Sequence, residues 1–375
     1  MGTPFLDRVW AEIDLNAIDY NFNLIRTNLA PTTKICCVIK ANGYGHGGVK
    51  LAHEYQRLGA DYLAVATAEE GLALRKAKVD LPILVLGYVP LCYAYRLAKN
   101  NITLTIYSYE YGIALSRHAK KFGYKIRAHL KLDTGMGRIG FRCLNSRYDE
   151  LNKAYKICTL PNVFCEGIYT HFASADECGD YTKRQYENFC FGIKFLSDRG
   201  INFNVKHCSN SSAILRYPDF QMDMVRAGII LYGLSPSPSF GSGIFKPTMT
   251  LKSQIINIKQ VYSGESVGYG RQFIAKSKTK VATLSVGYAD GLARNSYKTP
   301  LTVVINGKTA PIIGKVCMDQ LMVDVTNVNC KTGDSVTIFG GDSVQVKDIA
   351  SSFDTIDYEV VCALSDRVKR VFVRN

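Results

Sequence analysis

The sequence predicts an α/β fold, an N-terminal (β/α)8 TIM barrel followed by a mostly-β C-terminal domain. Three observations carry that expectation. Apolar, strand-like runs end near Lys40, Thr67, Leu86, Ile106, Leu132, His171, His207 and Ala227. Helical stretches such as 48–58, 68–78, 109–122 and 180–199 fill most of the intervals, giving the βα alternation that a closed barrel needs. Beyond about residue 240 the texture changes to short β-rich runs separated by Gly and Asn turns. The expected boundaries are therefore 1–240 for the barrel and 241–375 for the β domain. An open doubly wound sheet would want a GxGxxG turn after the first strand, and Ala41-Asn-Gly-Tyr-Gly-His-Gly47 is not one.

In chain order, Val9–Asp14 alternates like a half-buried strand and Leu15–Leu29 has apolar residues at helical spacing. That first strand precedes the first helix on the wrong side for the barrel, so it is expected to join the C-terminal sheet. Ile35–Ile39 is a continuous apolar or sulfur-bearing run, the pattern of a strand buried on both faces. Lys40 ends it, and Gly43, Gly45, Gly47 and Gly48 mark a tight turn beyond. Pro236, Pro238 and Pro247 make a linker-like passage. Strands are then expected at 254–261, 280–285, 301–305, 315–318, 321–325 and 335–339. There is no internal repeat.

Composition narrows the function classes. With 375 residues, 47% hydrophobic and 21% charged, the chain is an ordinary globular one, large enough for two domains. The net charge of +14 is spread along the chain, the densest cluster being Arg367-Val-Lys-Arg370. This suits a basic enzyme with anionic ligands better than a nucleic-acid binder. Twelve cysteines without regular spacing, and without any CxxC pair, point to reduced thiols and give no metal site. Met1–Asp7 does not read as a signal peptide, and no run is long and apolar enough for a membrane span. A cytoplasmic protein without membrane or nucleic-acid partners is expected.

In a barrel, functional residues gather at the C-terminal ends of the strands. The first offers Lys40 and Tyr44. The fifth offers Lys131-Leu-Asp133-Thr-Gly135-Met136-Gly137-Arg138, the sixth Tyr169-Thr-His171-Phe, the seventh His207-Cys-Ser-Asn210-Ser211, and the eighth Arg226-Ala-Gly228-Ile229. Cations, imidazoles and phenols with few carboxylates describe a site for an anionic, ring-bearing cofactor. Gly228 and Ile229 can offer backbone N–H groups to a phosphate and Ser211 a hydroxyl. Each residue alone has an ordinary alternative. A lysine at a strand end is commonly a surface lysine, and a histidine on an apolar strand is commonly a satisfied core residue. Asp133-Thr-Gly135 lacks the second, paired motif that aspartic-protease chemistry requires. The weight lies in their convergence.

Lys40-Ala-Asn-Gly-Tyr44-Gly-His46-Gly resembles the pyridoxal-phosphate attachment signature of the alanine racemases, PLP fold type III. The likeness continues through Lys131–Arg138, Tyr169–Phe172, Met224–Gly233, Ser266-Val-Gly-Tyr269-Gly, Val286-Gly-Tyr288-Ala-Asp290-Gly, Cys317-Met318-Asp319-Gln320 and Ile356-Asp-Tyr358-Glu, so it spans essentially the whole chain. It implies that Lys40 holds pyridoxal 5′-phosphate as a Schiff base and serves as one base, with Tyr269 of a partner subunit as the other. Racemisation needs a base on each face of the α-carbon, so a homodimer is a mechanistic requirement. The resemblance puts Arg226 at the pyridine nitrogen, with His171 near Arg226 and Tyr288. It gives the phosphate to Tyr44, Ser211, Gly228, Ile229 and Tyr358, and includes Asn210 among the cofactor-binding residues. Arg138 and Met318 would contact substrate, and Lys131 would be carbamylated to orient Arg138. Asp176, Tyr288, Arg294 and Asp319 would line the entry path.

The implied activity is the interconversion of L- and D-alanine, which supplies D-alanine for peptidoglycan. A serine or broad-specificity racemase of the same fold is the alternative. An arginine at the pyridine nitrogen argues against a fold-type III decarboxylase, and a β domain argues against a barrel-only cofactor-binding protein. Two departures from the family pattern stand out: Lys315 where arginine is common, and Lys369 where proline is usual. They bear on entry-path electrostatics and the C-terminal tail, and leave the acid–base pair intact.

Overall fold

The computed structural model describes residues 7–144, 148–177, 179–237, 243–294, 301–341 and 344–374. Pro238 of the linker passage and the first six residues lie outside them. Eight parallel strands, Lys34–Val38, Tyr62–Val65, Ile83–Val85, Ile102–Ile106, Ile126–Asp133, Val163–Tyr169, Val205–His207 and Met224–Ala227, follow one another around the sheet, and the last pairs with the first. Two backbone bonds bridge the gap between the seventh and eighth strands, Asp223 N–H to the Lys206 carbonyl at 3.1 Å and Arg226 N–H to the Ser209 carbonyl at 2.9 Å. The barrel forms because these runs are apolar on both faces: one side packs the interior, the other the surrounding helices.

The helices start where a side chain can take the orphan N–H groups. Asp14 accepts from Asn16 and Ala17 ahead of Leu15–Thr27, Ser108 accepts from Tyr111 ahead of Tyr109–Phe122, and Thr67 forms a capping box with Glu70 ahead of Ala68–Lys76. Gly123 ends one of them in the left-handed conformation that glycine adopts without penalty.

The second sheet contains a closed ring of six antiparallel strands. Its long member, Met249–Val261, pairs with Ser335–Phe339 through its first half and with Thr279–Leu284 through its second. An irregularity between Ile255 and Asn257 lets it turn from one neighbour to the other. Leu321–Asp324, Lys308–Ile313 and Thr302–Ile305 complete the ring. Val9–Asp14 lies against Met249–Val261 antiparallel and against Lys369–Val373 parallel, so it belongs to this sheet. The strand expected at 315–318 is not one. The chain is paired just before it, at Lys308–Ile313, and Gly314, at φ +69°, turns it into a loop carrying Lys315–Met318.

Contacts at two places help to seat the β domain on the barrel. Buried Asn21 donates to the carbonyls of Leu231 and Lys246 and accepts from Lys246 N–H, tying down both ends of the passage between the sheets. The helix Asp357–Cys362 rests on Gly45, and the Arg370 side chain donates to the Gly45 carbonyl at 2.8 Å. Gly45 sits at φ +79°, where a Cβ would stand 2.1 Å from the Val361 carbonyl oxygen. Gly45→Ala should therefore cost on the order of 2 kcal/mol or more, read as a fall in the thermal unfolding midpoint.

Candidate active site

The barrel mouth is built around an unusual turn. After Lys40, residues Ala41, Asn42 and Gly43 have φ/ψ of 51/52°, 53/44° and 64/46°, and Tyr44 has φ 50°. This is a left-handed helical turn, which costs L-residues about 1–2 kcal/mol each. Hydrogen bonds hold it. Gly43 N–H donates to Ile39, Gly45 N–H to Ala41 and Gly47 N–H to Asn42, all at 2.8–2.9 Å. The Asn42 side chain accepts from Gly48 N–H at 2.8 Å. Glu70 adds an outside clamp, one oxygen on Ala41 N–H at 2.6 Å and the other on Ala66 N–H at 2.7 Å. The turn brings Lys40 and Tyr44 to the same cavity.

That cavity is about 400 Å³ and is lined by Lys40, Tyr44, Lys131, Arg138, His171, Asn210, Ser211, Arg226, Gly228, Ile229 and Tyr358, among others. Eleven residues singled out from the sequence thus meet at one place. No carboxylate lines it among the described residues. Asp133 spends one oxygen on the N–H groups of Gly135 and Gly137, shaping the loop that presents Arg138. Asn210 caps the helix Ser211–Arg216 by accepting from Ala213 N–H. Tyr358 reaches the cavity from the β domain, its ring 6.0 Å from that of Tyr44.

The electrostatics follow from crowding cations where water is scarce. Burial, then Arg138, lowers the pKa of Lys40, which Cys362 and Glu70 partly restore. Lys131, over the Tyr169 ring at 4.6 Å, is driven to about 7 by burial and by Arg226 and Arg138. Arg226 is buried and bonded to the Thr170 and Cys208 carbonyls and to His207 Nδ1, each at 2.9 Å; His171 Nδ1 is farther, at 3.4 Å. The Ser211 hydroxyl accepts from Gly228 N–H at 2.9 Å. A Cβ on Gly228 would stand 3.1 Å from the Tyr44 hydroxyl and 3.4 Å from that of Ser211, so glycine keeps a small cradle open beside two hydroxyls.

Other expected residues lie elsewhere. Asp176 lines a second cavity of about 500 Å³ that shares Tyr358 with the first. Tyr269 and Met318 stand 64% and 53% exposed on the β domain, away from the cavity of their own chain. Arg294 follows the short turn Tyr288–Asp290, and Asp319 pairs with Arg367 at 2.7 Å. Within one chain Tyr288 does not join His171; it lines a separate hollow against Phe353 and Val360. Two residues without a role assigned from sequence also matter. His207 makes a shorter contact with Arg226 than His171 does, and the Tyr169 ring stacks on His207 with centroids 4.9 Å apart. Both sit at strand ends already identified, but nothing in the sequence says which way each side chain points.

The comparisons with known proteins agree with this geometry. The profile of the alanine racemase N-terminal domain matches residues 13–236 and that of the C-terminal domain 248–372. The chain belongs to the alanine racemase family. It is 44% identical to the alanine racemase of Desulfovibrio desulfuricans over 372 residues, 97% of this chain and 98% of that one. The alanine racemase of Clostridium tetani is 41% identical over 98% of this chain and 96% of its own length. The solved alanine racemase of Clostridium difficile 630 superposes with a TM-score of 0.94 at 41% identity, covering 99% of this chain and 97% of the other. The Bacillus anthracis alanine racemase with bound L-Ala-P superposes at 0.91 with 35% identity, covering 100% and 97%.

The depressed pKa of Lys131 has a thermodynamic consequence. Between about pH 7 and the ordinary lysine value of 10.5, the unfolded chain holds a proton here that the folded chain does not. Stability therefore rises with pH across that window, by at most about 1.4 kcal/mol per unit, and this contribution is absent below it. Lys131→Met should flatten the rise, measured by urea unfolding in carbonate-free buffer at about pH 7.5 and about pH 9.5.

Proposed function

We propose that the protein interconverts L- and D-alanine using pyridoxal 5′-phosphate, with Lys40 and the Tyr269 of a second copy as the two bases. The observation that carries this is the single cavity where Lys40, Arg138, His171 and Arg226 meet the Tyr44–Ser211–Gly228 cradle with no carboxylate among them. The donor set fits the cofactor. Its anionic phosphate suits the two hydroxyls, the Ile229 N–H and Tyr358, with Asn210 alongside. Its ring suits the cleft between the Lys40 turn and Arg226. When bound, the cofactor supplies an electron-withdrawing ring that acidifies the α-C–H of an amino acid joined to it.

The chain's own residues do the rest. A lysine with lowered pKa gives up its own proton more readily than a free one and, once neutral, can take one from the α-carbon on its own face. A guanidinium donates hydrogen bonds and accepts none, so Arg226 suits an unprotonated ring nitrogen, disfavours a protonated one and limits charge delocalisation into the ring. This favours prompt return of the proton over transamination. Arg138 orients the substrate carboxylate bidentately. Carbamylated Lys131 would place an anion between Arg138 and Arg226, replacing the repulsion that adds to burial in lowering the pKa of its amine.

Tyr269 and Met318 are exposed in one chain, as residues serving a neighbour's site must be before assembly. The unit from 241 to 375 then completes the barrel, residues 1–240, of its partner. Tyr288, Arg294 and Asp319 would join Asp176 along the entrance. The reading carries with it a cytoplasmic homodimer that supplies D-alanine to the cell wall.

The direct test is L-alanine in heavy water with the cofactor-loaded protein. Deuterated D-alanine without carbon dioxide is expected. Faster turnover of L-serine would move the substrate assignment, and carbon dioxide would overturn the role assigned to Arg226. Lys40→Ala should abolish turnover and the visible absorbance of bound cofactor together. Tyr269→Phe should impair one direction of proton abstraction far more than the other; equal, modest losses in the washout of α-deuterium from both enantiomers would remove it as a base. With ¹³C-bicarbonate, a carbamate signal absent in Lys131→Met should grow as pH rises through about 7, where the amine becomes neutral.

A further inference from the structure

Arg226 is a fully buried guanidinium with no carboxylate bonded to it. Buried charges are normally paired, so its compensation has to be found. It lies on the side of Arg226 facing the barrel core. Arg226 Nη1 is 2.9 Å from His207 Nδ1, and His207 Nε2 is 2.9 Å from His129 Nδ1. His129 Nε2 has no hydrogen-bond partner and lies 3.9 Å from Glu166 Oε1. Thr103 donates to that same carboxylate oxygen at 2.7 Å, while Arg127 Nε donates to the other at 3.0 Å. Both imidazoles are fully buried, and Glu166 is 3% exposed.

Hydrogen-bond arithmetic fixes the protons. A guanidinium only donates, so His207 Nδ1 must accept. His207 then carries its proton on Nε2 and donates to His129 Nδ1. His129 in turn carries its proton on Nε2, pointing at Glu166. Burial keeps both rings neutral, holding His129 at about 4 and His207 well below the usual range. The reverse set of tautomers would oppose two N–H groups at Arg226 and aim a lone pair at the carboxylate. The chain of dipoles therefore has one stable direction, set by a cation at one end and an anion at the other.

We propose that Glu166 is a positioning residue for Arg226, acting through His129 and His207 to hold the guanidinium's remaining N–H groups toward the cofactor ring. This rests on the placement of Arg226 at the ring nitrogen. Three of the five N–H groups are spent on His207, Thr170 and Cys208, which leaves two for a ligand. Removing the carboxylate leaves the orphaned His129 N–H with nothing to face, loosens the tautomer selection and makes the cavity floor more positive. A more positive floor lowers the pH at which the Lys40-linked cofactor gives up its proton.

The test uses the holoenzyme labelled with ¹⁵N-histidine, whose six histidines make assignment tractable. In the unsubstituted protein His129 and His207 should each show one Nε2–H tautomer, unchanged from about pH 6 to about pH 9. Glu166→Gln should replace the His129 signature with a tautomer mixture and shift the pH midpoint of the cofactor's visible absorbance down, by roughly half a unit. Glu166→Asp should restore both. His129→Leu cuts the chain without touching the Arg127–Glu166 pair, and keeps the test available if Glu166→Gln folds poorly; by freeing the guanidinium it should also move the absorbance midpoint, by less than Glu166→Gln because the carboxylate charge stays. Mixed tautomers in the unsubstituted protein, or an absorbance unmoved by Glu166→Gln and His129→Leu but moved by Arg226→Gln, would overturn the relay. If Arg226→Gln also left the absorbance unmoved, the placement of Arg226 at the ring would fall and take the proposal with it.

Discussion

A left-handed helical turn at residues 41–44 is the constraint on which the site depends. Ala41, Asn42 and Tyr44 are each there at a cost, on the order of 1–2 kcal/mol per residue. The cost is met by an unbroken set of local hydrogen bonds and by Glu70, whose carboxylate serves the first and second βα loops together. A right-handed turn would carry Lys40 and Tyr44 along a different path and separate them. Strain stored at a functional site and offset around it is a recurring arrangement, and in this barrel the compensating groups can be named.

The second organising fact is a concentration of positive charge. Lys40, Lys131, Arg138 and Arg226 share one cavity, and the acids near it are committed elsewhere: Asp133 to its loop and Glu70 to backbone N–H groups. That crowding, with burial, lowers the pKa of both lysines, and the cavity is matched to an anionic guest. Arg226 cannot shed a proton so readily, and is bonded instead to Thr170, Cys208 and His207.

Much of this was legible in the sequence. The eight strand ends were placed within about two residues, because buried parallel strands are continuous apolar runs and the residues after them are polar. The strand at 9–14 was assigned to the far sheet on topology alone. The strand at 315–318 was misplaced, since Lys315–Met318 alternates acceptably while Gly314 and the pairing of Lys308–Ile313 decide against it. Eleven cavity residues were named, yet the relay behind Arg226 was not. His129 and Glu166 lie in strand interiors, and a lone polar residue in an apolar run gives no indication of which partner it will meet across the barrel. Tyr269 and Met318 show a different limit: the role proposed for them depends on a second chain.

The pairing of Val9–Asp14 with both Met249–Val261 and Lys369–Val373 has a consequence for how the protein is made. The strand Val9–Asp14 leaves the ribosome about 240 residues ahead of one neighbour and about 360 ahead of the other. At typical elongation rates that is a wait on the order of tens of seconds, during which Val9, Ala11 and Ile13 have no sheet to cover them. The eight barrel strands have no such delay, since each pairs with a neighbour made shortly before it, apart from the closure of the last on the first. Nascent chains stalled just before residue 249 would thus hold the barrel strands preceded by an unpaired apolar strand, the kind of segment that chaperones bind.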